Sequence, residues 1–81
     1  MFNYGTIDKT PTINQVAAIL KYMENNPDEG FDPKMMMGLS RPNPDTIHLD
    51  LNNAHYGIEY EITFNKENEI ISFTKLGVWM S

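Results

Sequence analysis

No cysteine occurs in these 81 residues, which removes disulfide scaffolds, thiolate zinc sites, iron–sulfur clusters and thiol nucleophiles together. Basic residues are scarce: six Lys and Arg stand against eleven Asp and Glu, for a formal charge of −5. Non-specific affinity for nucleic acid rests on neutralising phosphates, so this balance argues against direct binding to DNA or RNA. Long apolar runs are missing too. The longest, Val16–Leu20 and Leu76–Met80, fall far below the roughly 18–20 residues of a bilayer span. No basic stretch leads into an apolar one at the N-terminus, as an export signal would. The expectation is a cytoplasmic protein with no membrane partner. No glycine-rich loop runs from a strand into a helix, and no serine has a histidine placed to activate it. Neither a cofactor nor an enzymatic activity is therefore expected, and no residue is assigned a catalytic role. Nothing in the residues marks a known family.

What is present suits one small domain, residues 1–81, with one modest core and a surface or shallow pocket for binding. A composition of 41% hydrophobic and 21% charged residues matches ordinary globular usage rather than disorder. Asparagine is frequent, and no function is read from it. Thr10–Asn26 carries the clearest helical signal, with Ile13, Val16, Ala17, Leu20 and Met23 forming an apolar stripe at helical spacing. Two starts fit: Thr10 as N-cap before Pro11, or Thr12 and Gln15 as a capping box. Pro27 ends the helix either way.

Pro27–Asp45 is irregular and rich in Gly and Pro. Within it, Asp32 as cap, Pro33 in first position and Gly38 as the left-handed exit predict one helical turn carrying Met35, Met36 and Met37. Three consecutive methionines on such a turn cannot all face inward, so they read as core filler with at least one left as an adaptable contact. Ser40–Asp45 is expected as an extended loop.

The remaining chain reads as three strands. Thr46–Leu51 places Ile47, Leu49 and Leu51 on one face. His55–Phe64 does the same for Tyr56, Ile58, Tyr60, Ile62 and Phe64. Glu69–Met80 starts with Ile71 and Phe73 inward and continues with Leu76, Val78 and Met80, a change of phase that a β-bulge near Thr74 and Lys75 repairs. Four-residue turns at Asn52–His55 and Asn65–Asn68 align Leu51 with Tyr56, Ile62 with Ile71 and Ile58 with Leu76, so every inward pair is apolar. The expected fold class is α+β: one main helix on a three-stranded antiparallel meander. An N-terminal strand or docked arm, built on Phe2, Tyr4 and Ile7, would add a fourth.

That register also predicts the wet face. His48 falls opposite Glu59, Asp50 opposite Gly57, and Gly57 opposite Gly77, with His55 near Trp79. Two facing glycines leave a depression rimmed by Asp50, His55 and Trp79, with Lys75 nearby. Trp79 reads as the aromatic anchor of a partner-docking patch, because tryptophan is enriched among binding hot spots. Glu59 and Glu61 extend the patch, and Met35 and Met36 contribute from the loop. The function expected is a small acidic protein-binding module, an inhibitor or adaptor. Its sharper form occupies the basic groove of a nucleic-acid-handling protein, since complementary potential steers association. Two alternatives belong to other classes. One is a structural subunit that self-assembles through the Thr46–Leu51 edge. The other is a metal-dependent or acid–base enzyme built from His48 with Asp50 and Glu59, or with Glu59 and Glu61, which lacks any tight ligand motif. Metal ligands are accordingly not assigned.

Overall fold

The computed structural model describes residues 10–29, 31 and 34–80. One helix, α1 (Ile13–Asn25), leads through a 3₁₀ turn at Pro27–Glu29 to four strands: β1 (Met36–Asn43), β2 (Thr46–Asn52), β3 (Tyr56–Phe64) and β4 (Ile70–Met80). They form one antiparallel sheet in the order β1-β2-β3-β4. The α+β class and the meander are as expected, but the fourth strand comes from the centre of the chain. The strand or arm read into residues 1–9 lies outside the described residues.

The helix begins at the second of the two expected starts. Thr12 Oγ1 accepts from the Gln15 backbone N–H at 3.1 Å, and Gln15 Oε1 accepts from the Thr12 N–H at 3.1 Å, a reciprocal capping box. Gln15 does a second job. Its Nε2 donates to the Pro44 carbonyl at 3.0 Å, tying the first turn of α1 to the β1–β2 turn 29 residues away. Gln15 is fully buried beside Ile19. The stripe turned to the sheet is thus Gln15, Ile19, Tyr22 and Asn26, about a third of a turn from the apolar stripe of the sequence. Ile13, expected inward, is 87% exposed, and Ala17 and Leu20 are exposed beside it.

The other half of α1 docks through aromatic rings. Tyr22 stacks on Phe73 with centroids 4.2 Å apart and planes 8° apart, and Phe31 fits edgewise against both Tyr22 and Phe73. Tyr60 completes the cluster 5.1 Å from Phe73. Beneath it Ile47, Leu49, Leu51, Ile62 and Phe64 are buried with Ile19 and Met35. Each Leu or Ile here carries about 2–5 kcal/mol on truncation to alanine.

Over Met36–Asn43, β1 stands where the end of the expected helical turn and most of the expected loop would be, while the cap and first position read into Asp32 and Pro33 lie outside the described residues. A single turn with one cap is a weak local signal, because helix nucleation fixes several dihedrals for one hydrogen bond. Pairing along β2 instead satisfies a whole row of backbone groups that would otherwise face the rim of the core. Pro42 is tolerated because β1 is an edge strand, and the ladder slips between Ser40 and Asn43. Asn43 Oδ1 accepts from the Asp45 N–H and sets the Pro44–Asp45 turn. The Thr46–Leu51 strand is therefore internal, and the free edge expected there does not exist.

Both later hairpins are offset by two residues from the expected register. At β2–β3 the Asn53 N–H donates to the Tyr56 carbonyl at 2.9 Å, and Asn53 Oδ1 accepts from the N–H groups of His55 and Tyr56. The loop shrinks to Ala54 and His55, so Leu51 meets Ile58 and Leu49 meets Tyr60. At β3–β4 Asn65 Oδ1 accepts from the N–H groups of Glu67 and Glu69, and Asn68 adopts φ 63°, the left-handed residue of a three-residue hairpin loop. Ile62 then faces Phe73 and Ile58 faces Val78. An offset of two keeps every side chain on its face, so most of the inward set survives. Ile71 falls in an extra ladder shift between Thr63 and Phe64 and is exposed, and Leu76, Val78 and Met80, expected inward, are exposed as well, because the end of β4 runs past the cover of α1. The anticipated bulge sits at Leu76, one position beyond Thr74–Lys75.

Gln15→Ala removes the acceptor of the Thr12 N–H and the side-chain donor to the Pro44 carbonyl. It should lower stability by about 1–3 kcal/mol, read from urea unfolding. Burial raises the Tyr60 hydroxyl above its usual pKa of about 10, and burial with the hydrogen bond to Glu29 does the same for Tyr22. A raised phenol pKa means the folded state holds its proton more tightly. That contribution is complete below about pH 10 and is lost as pH climbs through the folded value. Urea midpoints should therefore fall above about pH 10, less steeply in Tyr22→Phe.

Candidate functional site

The outer face of the sheet, opposite α1, is laid out in cross-strand rows. Met36, Asn52, Gly57 and Trp79 make the first, and Gly38, Asp50, Glu59 and Gly77 the second. Ser40, His48, Glu61 and Thr74 follow, then Asn43, Thr46, Thr63 and Ser72. Neighbouring strands lie about 4.8 Å apart, so Met36 and Trp79 stand about 14 Å from one another at the ends of one row.

Trp79 lies on this outer face, outside the core, and is 45% exposed. A Cβ added at Gly57 would clash with Nε1, Cε2 and Cζ2 of its indole, so the ring is spread over the glycine and Gly57 is buried beneath it. The depression expected between Gly57 and Gly77 is not formed. Gly57 faces Trp79, and Gly77 faces Glu59 with open space where its side chain would be. The two-residue offset is the cause, and it also moves Lys75 opposite the inward Tyr60, off the outer rim.

The open trough is the second row. Asp50 and Glu59 sit directly opposite one another, flanked by Gly38 and Gly77. Like charges so placed repel, and none of the four rows contains a Lys or Arg. Asp50 Oδ2 accepts from Asn52 Nδ2 at 3.3 Å, whereas its Oδ1 is shielded from solvent without a donor among the described residues. In the third row His48 Nε2 lies 3.1 Å from Glu61 Oε2, so the partner of His48 is Glu61 and not Glu59. A half-exposed pair of this kind contributes at most about 1 kcal/mol. No group of three or more His, Asp or Glu side chains converges to hold a metal among the described residues.

The remaining expected contacts divide. Met36 is 72% exposed at the end of the first row, but Met35 is buried in the core cluster and cannot meet a partner. His55 is exposed in the β2–β3 turn, with its backbone N–H bound by Asn53. Asn52 and Gly38 were missed. The signal for Asn52 is Asn53, whose capacity to close a two-residue turn sets Asn52 opposite Gly57, whereas Gly38 is placed by the pairing of β1 with β2. A separate open cleft of about 300 Å³ lies between the end of α1 and the β3–β4 turn, lined by Lys21, Tyr22, Asn25, Asn68, Glu69 and Ile70. It contains none of the expected site residues. No helix among the described residues is long and apolar enough to cross a membrane.

No family model, curated protein or solved structure matches this chain.

Gly57→Ala must displace the indole. As Trp79 is the sole tryptophan, its emission should shift to the red and its quenching by acrylamide should rise, with far-UV circular dichroism unchanged. An unaltered spectrum would place the ring elsewhere.

Proposed function

We propose that this protein is a small acidic binding module, an inhibitor or adaptor, that docks the outer face of its sheet on a basic surface of another protein. The observation that carries this reading is the adjoining of two rows. One ends in a half-exposed indole held flat over Gly57, and the next presents Asp50 and Glu59 in a row that contains no Lys or Arg. Hot spots combine a buried aromatic anchor with a surround that excludes water, and a partner's Lys or Arg would relieve the repulsion within the acidic row. A groove built to hold phosphates supplies such cations, so a nucleic-acid-handling protein is the partner class this face suits. Met36 at the far end of the row supplies a flexible apolar contact.

Affinity capture from nuclease-treated lysate, followed by titration of the captured protein, tests this. Trp79→Ala should keep its circular dichroism and weaken binding at least tenfold, about 1.4 kcal/mol. Asp50→Asn with Glu59→Gln should slow association and flatten its dependence on salt. Equal binding by Trp79→Ala would remove the outer face from the interface.

A further inference from the structure

We propose that the last five residues of β4, Leu76–Met80, pair antiparallel with the same segment of a second copy about a two-fold axis at Val78. β4 has no neighbour on its far side among the described residues, and an open edge is a template for another strand. The two edges of the sheet differ in how they are guarded. β1 carries Pro42 and an irregular ladder around it. The first part of β4 carries Lys75 and two ladder shifts, at Ile71 and Leu76. Beyond Leu76 the guards stop. Val78 is 54% and Met80 81% exposed, and no residue of Leu76–Met80 is charged.

Charge selects a second copy as the occupant. At −5 the chain repels itself across its acidic outer face, but two Leu76–Met80 segments meet without any charge, and the two Lys75 side chains sit about 20 Å apart at opposite ends. Register selects it as well. With Val78 opposite Val78, Leu76 meets Met80 in both directions on the inner face, covering apolar side chains that α1 leaves open. On the outer face each Trp79 falls opposite the Gly77 of the other copy, where a Cβ meets nothing within 4 Å in the single chain. Every pair matches in face and polarity. A five-residue seam lies at the low end of interface sizes, below about 1,200 Å², so the dimer is weak and concentration-dependent. The proposal does not rest on the docking reading, since it uses the edge of β4 and its variants leave Trp79 in place.

Sedimentation equilibrium of the full chain from about 10 μM to about 1 mM should show monomer passing to dimer. Val78→Lys and Met80→Lys should each weaken association at least tenfold, and Ile71→Lys, outside the seam, should leave it unchanged. Mixing Val78→Lys with Val78→Glu should restore the dimer, because the two-fold sets position 78 against itself. Met80→Lys carries the test if Val78→Lys loses its circular dichroism, as Met80 touches little. A wild type that stays monomeric throughout, or a dimer that survives both lysine substitutions, would overturn the proposal.

Discussion

One buried amide decides which way the helix faces. Gln15 accepts from Thr12 at the helix start and donates to the Pro44 carbonyl at the far end of the first hairpin. A buried amide without partners costs about 1–3 kcal/mol, as much as burying an apolar side chain gains, so Gln15 is held inside only where both partners meet it. Once Gln15 is inside, its partners must be where they are. The rotation of α1 follows, then the stacking of Tyr22 on Phe73, and then the exposure of Ile13, Ala17 and Leu20. Hydrophobicity alone would have turned the helix the other way.

The same balance explains which parts of the fold were legible. Alternation in Thr46–Leu51 and His55–Phe64 identified the core face correctly, because a period of two is insensitive to where a turn closes. Pro27 and the Thr12–Gln15 pair marked the helix ends for local reasons that tertiary structure did not override. β1 was illegible: Met36–Asn43 holds glycine and proline and has one buried neighbour strand, so its conformation is dictated by β2 and hardly at all by its own residues. The site was legible as a face and not as a set of neighbours. Trp79, Asp50, Glu59 and Glu61 were placed together, but who stands beside whom depended on the turns.

Those turns are where the asparagines go. Asn43, Asn53 and Asn65 each accept backbone N–H groups from residues that follow them, Asn26 caps α1 by donating to the Tyr22 carbonyl, and Asn68 takes the left-handed position of its loop. Short amides substitute for backbone partners and tolerate positive φ. The abundance of asparagine is thus a record of how tightly the hairpins close. Each turn tightened in this way shifts the facing residues by two, which is what put an indole, not a second glycine, over Gly57.

The order β1-β2-β3-β4 has a kinetic meaning. Every strand pairs with its neighbour in the chain across a loop of two or three residues, so each ladder can zip from its own turn with little closure entropy. The Gln15–Pro44 tie spans a far longer stretch and needs the first hairpin already formed. Sheet assembly should therefore run ahead of helix docking, and the rate-limiting event should belong to the seating of α1 rather than to the pairing of strands.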